Sequence, residues 1–380
     1  MSKKIKLLHV ITHLPIGGAQ DNTLYTVELL NKDKYDISLS CNLNGELVSR
    51  AKKVKHLKLY DVPNLRREVS IINDIRAFLS LYKLIREENY TIIHTHSSKA
   101  GFLARIAAML NKTPIVIHTI HGFAFHDYMN SFKKNIFIYL EKLSAKWTHG
   151  LVTVSNLNKK KVVDLGIAPI EKLKNIYSGI DLTLFINEKN DQFRKELNLD
   201  SNHLLLGSVG RLSNQKDPIT MIEAFCIVIK RFPNAHLTLV GDGELRDEIL
   251  IKIDQLQLNG RVHLTGNKND PWKIYHSLDL FIMSSIYEGL GRSITEALSC
   301  GVPVVCTSVE GVPEIVRDNE TGILVPPKDP GALATGIINS LNDMDNAKKM
   351  AEEGRKFVNE NFDVNKMVDD IDSLYDTFYK

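Results

Sequence analysis

The sequence predicts an α/β protein made of two Rossmann-like, doubly wound domains that face each other across a cleft. Three observations predict it. Short apolar runs alternate with amphipathic stretches in two successive series, the pattern of parallel strands with helices on both faces. Glycines stand where several runs pass into helical stretches. The length of 380 residues exceeds one core at roughly 150 residues per domain.

The first series opens with an apolar run over 5–11, then Gly17-Gly18, then a periodic stretch over 23–30: strand, glycine turn, helix. A long amphipathic helix follows over 71–85, and a strand over 91–94. Next come a helix over 100–110, a strand over 115–119, a helix over 132–146 and a strand over 151–154. After Asn175-Ile-Tyr-Ser-Gly-Ile-Asp181 and a polar stretch over 187–191, the pattern restarts. Its strands are expected over 204–209, 236–240, 262–264, 280–283 and 304–306, with helices over 219–231 and 244–255. A periodic helix over 364–379 closes the chain. The expected divisions are 1–182, 183–362 and a C-terminal helix over 363–380 that packs back on the first domain.

Composition excludes whole classes. Hydrophobic residues at 43% and charged residues at 24% rule out disordered, collagenous and coiled-coil chains. No window supplies the roughly 18–20 uncharged apolar residues of a membrane-spanning helix. The basic start, 1–6, resembles a secretion leader, but His9, His13 and Pro15 interrupt the apolar run, so a first strand is expected instead. Cys41, Cys226, Cys300 and Cys306 show no metal spacing and read as reduced core residues of a cytoplasmic protein. The net charge of +3 hides an asymmetry: 27 basic against 14 acidic residues in 1–180, and 21 against 31 thereafter. The first half is expected to meet something anionic. Nucleic acid is not the expected partner, because the basic residues are scattered rather than interleaved with stacking aromatics.

Three segments carry candidate chemistry. Gly17 and Gly18 bring bare backbone N–H groups to a strand-to-helix turn, where a phosphate can sit; a plain tight turn is the competing reading. Gly210-Arg211-Leu212 and then Lys216 follow the first strand of the second series, so two cations stand where ligands of open α/β sheets bind. Glu288-Gly-Leu-Gly-Arg-Ser-Ile-Thr-Glu296 follows the strand over 280–283. Gly289 and Gly291 leave amides at a helix start, and Glu296, a turn further in, suits vicinal hydroxyls of a ribose.

Together with Gly241-Asp242-Gly243 and Gly301-Val-Pro-Val304, these motifs resemble the retaining family 4 glycosyltransferases of the GT-B fold, from about residue 7 to about 328. The resemblance implies that Glu296 binds the nucleotide ribose, Glu288 the donor sugar hydroxyls, Arg211 and Lys216 the diphosphate, and Gly18 the phosphate from the first domain. It also implies that His121, in His118-Thr-Ile-His-Gly-Phe123, lies near the transferred sugar. Gly17, Gly210, Gly266, Gly289, Leu290 and Gly291 complete the expected donor site. The segment His94-Thr-His-Ser-Ser-Lys-Ala-Gly101 is similar to members that build capsular, exopolysaccharide or O-antigen chains. Ser178 and Arg292 depart from the family pattern.

The implied activity is metal-independent, retaining transfer of a hexose or N-acetylhexosamine from a nucleotide diphosphate sugar, a UDP-sugar, to a glycan or lipid-linked acceptor. No cofactor is expected; the nucleotide-sugar is a substrate. Two other readings stay open, a nucleotide-sugar epimerase and a nucleotide-binding module without catalysis. The basic first half, led by 50–58 and 133–146, is expected to hold the enzyme peripherally on the cytoplasmic face of an anionic membrane. His94 and His96 form an H-x-H pair without an evident third metal ligand and are read as a strand-end turn. Asp343-Met-Asp345 and Asp370-Ile-Asp372 are read as solvated helical faces rather than metal motifs. In the helix over 132–147, Lys133, Lys134, Lys142 and Lys146 alternate with apolar residues that suit either a membrane face or core packing.

Overall fold

The computed structural model describes residues 4–126, 128–185, 192–268 and 270–379. The polar stretch over 187–191 and the first three residues of the basic start lie outside them. Two compact units emerge, Met1–Gly179 with Val364–Lys380, and Ile180–Asp363.

The first unit holds a sheet of strands β1 (Ile5–His13), β2 (Tyr35–Asn42), β3 (Lys58–Asp61), β4 (Ile92–His96), β5 (Ile115–Ile120), β6 (Gly150–Thr153) and β7 (Leu173–Asn175). Its order is β3-β2-β1-β4-β5-β6-β7, parallel throughout. Helices cover both faces, so the central strands are apolar on both sides. Along β1, Leu8 and Val10 join Ile93, Leu81 and Ala104 in one core, whereas Leu7 and Ile11 join Leu24, Ile37 and the C-terminal helix in the other. Ala100, Ala104, Ala107 and Ala108 line the buried side of helix Ser98–Leu110, which small residues let approach the sheet closely.

The C-terminal helix Val364–Phe378 buries Val364, Met367, Val368, Ile371 and Tyr375 in that second core. Asp372 on this helix is not the solvated face read from the sequence. It accepts hydrogen bonds from the Tyr35 hydroxyl at 2.5 Å and from Lys34 Nζ at 2.8 Å, because the helix docks against the start of β2. Asp343 is exposed and caps helix Met344–Asn361 through the Asn346 N–H.

The second unit holds β8 (Leu204–Val209), β9 (Ala235–Val240), β10 (Val262–Gly266), β11 (Leu280–Met283), β12 (Val304–Thr307) and β13 (Ile323–Val325), in parallel order β10-β9-β8-β11-β12-β13. Each sheet reverses its winding direction once, between β1 and β4 and between β8 and β11. Open α/β sheets bind ligands outside the carboxyl ends of the strands at that reversal. The loops that follow β1, β8 and β11 carry most of the candidate residues.

Candidate functional site

In the second unit two loops are stitched together across the reversal point. Gly210 N–H donates to Val240 O at 2.9 Å, and Leu212 N–H to Asp242 O at 3.1 Å. This seats Gly210-Leu212 on the Gly241–Gly243 turn. Gly241 must be glycine there: its φ is +137°, and a Cβ would lie 2.0 Å from Gly210 O. Gly266 completes the corner by accepting from Gly241 N–H at 2.9 Å. Ser284 Oγ donates to the carbonyls of Lys216 and Asp217, both at 2.8 Å. Gln215 gives its amide to Tyr287 O at 3.1 Å and accepts from Ile286 N–H at 2.8 Å.

This stitching brings together residues 72 positions apart. Lys216 and Glu288 form an ion pair, and Ser285 Oγ donates to the same carboxylate oxygen at 2.8 Å. Glu288 is only 6% exposed, and a carboxylate so buried needs such partners. Its backbone N–H donates to Glu310 Oε2 at 3.1 Å, an acid that the sequence did not bring into view. Arg211 stands exposed on the loop before Lys216. Gly289 and Leu290 lead to Gly291, which caps helix Arg292–Ser299 in the left-handed region, φ +96°, and brings no side-chain cap of its own. Leu290 itself is buried, so only its backbone is offered to a ligand.

Glu296 lies one turn into that helix. Its Oε2 accepts from the Tyr275 hydroxyl at 2.8 Å, and Arg292 Nε stands 3.1 Å from Oε1. Burial beside Glu296 pushes the Tyr275 phenol well above its ordinary range, so it stays a donor. The family departure at Arg292 thus has a structural role, holding Glu296. Tyr275, on the short helix Pro271–Tyr275, carried no sequence signal.

In the first unit, Gly17 ends the β1 loop with extended backbone, φ 172°, and helix Gly18–Leu29 begins without a side-chain cap. Its first N–H groups are therefore available to an anion. Ser178, the other departure, accepts from Asn22 Nδ2 at 3.1 Å. His121 follows β5 and is half-buried. Its Nε2 lies 3.0 Å from His96 Nδ1, and His96 Nε2 lies 3.0 Å from His9 Nδ1. His94 lies 2.5 Å from the Tyr375 hydroxyl through Nδ1 and 2.7 Å from Thr119 Oγ1 through Nε2.

These positions correct the reading of His94 and His96 as a strand-end turn. Both lie within β4, and the β1–β4 register sets His9 directly beside His94. Period-two alternation puts His94 and His96 on one face, so a third imidazole was encoded 85 residues upstream. Among the described residues, His9, His94 and His96 have ring nitrogens within 4.8 Å of one another, a spacing that a metal ion could use. Those nitrogens are engaged with each other, with Tyr375, with Thr119 and with His121. Burial holds His9 down to about 3 and His121 to about 4, and lowers His94, His96 and His118 well below the usual imidazole value. The five rings are neutral at pH 7.

The profile described as Glycosyltransferase Family 4 matches residues 16–184, and that of Glycosyl transferases group 1 matches 189–357. A UDP-Gal:α-D-GlcNAc-diphosphoundecaprenol α-1,3-galactosyltransferase of Escherichia coli is 34% identical, over 98% of this chain and 97% of its own. The Staphylococcus aureus capsular polysaccharide biosynthesis glycosyltransferase CapM is 26% identical, over 100% of this chain and 98% of its own. HepE of Anabaena, crystallised with UDP and glucose, is 21% identical and shares the fold with a TM-score of 0.86, covering 98% of this chain and 99% of that one. Both profiles and a relative matched along nearly the whole length agree with the motifs set out above, and the chain belongs to glycosyltransferase family 4, as a glycosyltransferase of the GT-B fold.

Proposed function

We propose that this enzyme moves a hexose or N-acetylhexosamine from a UDP-sugar to a hydroxyl of a lipid-linked glycan, with retention at the anomeric carbon, in surface polysaccharide synthesis. The observation that carries this reading is the Lys216–Glu288 pair fixed at the β8/β11 reversal point. A departing nucleoside diphosphate gains about one negative charge. Lys216, Arg211 and the positive end of helix Arg292–Ser299 are the groups that neutralise it, so no divalent ion is required. Glu288 takes sugar hydroxyls and Glu296 the ribose. The relatives support the nucleotide and the acceptor: the E. coli enzyme is named for UDP-Gal and a diphosphoundecaprenol acceptor.

Calorimetry with UDP tests the roles of the two acids. Glu296→Gln is expected to weaken UDP binding roughly tenfold or more, the scale of a lost charged hydrogen bond. Glu288→Gln is expected to spare UDP binding while transfer collapses, in chelator as in its absence. Equal UDP affinity for wild type and Glu296→Gln removes the ribose assignment. Turnover that stops in EDTA and returns with Mg²⁺ removes the metal-free mechanism, and isomerised donor without acceptor favours the epimerase.

The same reading places the enzyme on an anionic membrane surface. Phe132, Ile136 and Tyr139 of helix Ser131–Ala145 are exposed, as are Ile71, Ile72, Ile75 and Leu79 of helix Ile71–Glu88. Core packing accounts for Phe137 and Ile138 on the former helix, but not for these outward residues. Lys142, Lys146 and Lys172 line a groove of about 390 Å³ beside it. The stretch over 50–58 contributes less than its composition suggests. Arg50 pairs with Asp21 and Glu28, and Lys58 with Asp36. Among the described residues no helix is long and apolar enough to cross a membrane. Co-sedimentation with anionic vesicles at low salt, reversed by salt and weakened by Phe132→Ser, is expected. Equal binding to neutral vesicles, or none to either, rejects the membrane surface.

A further inference from the structure

The buried histidines of the first unit do more than fill its core. Consecutive rings meet edge to edge. The His9–His96 and His96–His121 centroids are both 5.3 Å apart, with interplanar angles of 11° and 27°. The facing nitrogens are 3.0 Å apart at each step. Near-coplanar rings at that separation share one in-plane hydrogen bond rather than a face-to-face stack. His9 Nε2 then reaches the Tyr375 hydroxyl at 3.5 Å, and the same hydroxyl lies 2.5 Å from His94 Nδ1.

A neutral imidazole carries one N–H and one lone pair, so this chain has a direction. The Tyr375 phenol, held protonated by its burial, has a single proton, and the shorter contact assigns it to His94 Nδ1. The phenol oxygen then accepts from His9 Nε2–H. His9 Nδ1 must accept from His96 Nε2–H, and His96 Nδ1 from His121 Nε2–H. His94 closes the branch by donating from Nε2 to Thr119 Oγ1. His121 is left with an unprotonated Nδ1, an atom that takes no hydrogen bond from the described residues.

We propose that Tyr375, His9 and His96 are positioning residues that fix the tautomer and ring plane of His121, so that it presents Nδ1 as an acceptor to a hydroxyl of the transferred sugar or of the acceptor. This rests on the reading of His121 as a residue that contacts substrate. No proton leaves its heavy atom in this arrangement; the relay selects one tautomer by satisfying every other nitrogen. Tyr375 belongs to the C-terminal helix, so the last turns of the chain set the chemistry of a loop more than 250 residues earlier.

The test is a long-range ¹H–¹⁵N correlation spectrum of the full chain labelled with ¹⁵N-histidine, with each ring assigned by single replacement. At pH 7, His9, His96 and His121 are expected as Nε2–H tautomers. Tyr375→Phe, which keeps the ring and its packing, is expected to divide His121 between two tautomers. It should also lower kcat about tenfold, the scale of one neutral hydrogen bond, with the donor KM unchanged. An Nδ1–H His121 in the wild type overturns the proposal, as does a Tyr375→Phe variant with a single Nε2–H His121 and unaltered kcat. If Tyr375→Phe does not fold, the three wild-type tautomers decide, and any one at Nδ1–H is fatal. A wild-type rate in His121→Asn removes His121 from the reaction while the spectrum still judges the relay. Stoichiometric zinc in the purified chain also overturns it, since a metal would claim the lone pairs that the relay uses.

Discussion

Lys216→Ala is expected to lower kcat/KM by roughly 10²–10³-fold, the scale for removing one preorganised charge that stabilises a developing anion. The same substitution leaves Glu288 with Ser285 as its side-chain partner on that oxygen. Removing one partner of a buried pair costs about 3–5 kcal/mol. Lys216 is a quarter exposed, so about 2–3 kcal/mol is expected here. The two losses separate in the double variant Lys216→Met with Glu288→Gln, which removes the orphaned charge. Thermal denaturation should show stability largely restored, while steady-state transfer stays low. A Lys216→Ala enzyme with wild-type kcat/KM would remove the diphosphate role of this lysine.

The second large effect is on acid stability. His9, His94, His96, His118 and His121 are neutral in the folded chain, with His9 held to about 3 and His121 to about 4. In the unfolded chain each titrates near 6.5. Below that value the unfolded state binds more protons, so stability rises with pH and is lost as pH falls. The loss begins near 6.5 and runs down to about 4 for His121 and about 3 for His9. Each such histidine removes roughly 1.4 kcal/mol per pH unit in its window. The five shifts share one sign, so their contributions act together against the ~5–15 kcal/mol that holds a typical domain together. Protection against hydrogen exchange, corrected for the intrinsic rate at each pH, is therefore expected to fall between pH 7 and pH 5.5 more in β1, β4 and β5 than in β8 and β11. Equal protection at pH 7 and pH 5.5 would mean that the rings are charged in the fold.

Legibility in the sequence followed burial and proximity. Strands β1, β4, β5, β8, β9 and β11 stand out because both faces are covered, so apolar residues run uninterrupted. The sequence reading did not include β2 and β3. In β2, Ser38 and Ser40 are buried among Ile37, Leu39 and Cys41, and the serines break the apolar run. Edge strand β3 begins at Lys58 and ends at Asp61, both exposed, so it has no periodicity to detect. The candidate donor residues were legible because local loops carry them, and short glycine-rich spacing survives in one dimension. The histidine relay and the Tyr275 hydrogen bond to Glu296 were not, because pairing across strands or between helices joins residues 21 to 366 positions apart.

The return of the last helix to the first unit bears on how the chain is made. The core around Leu7, Ile37 and Ile117 is completed by Met367, Ile371 and Tyr375, which leave the ribosome only after all of Ile180–Asp363. At about 5–20 residues per second, that intervening segment takes roughly 10–40 s to synthesise. The unit Ile180–Asp363, though second in sequence, is the first whose residues are all present. Its partner waits through that interval with an apolar sheet face uncovered, a surface that chaperones would have to shelter.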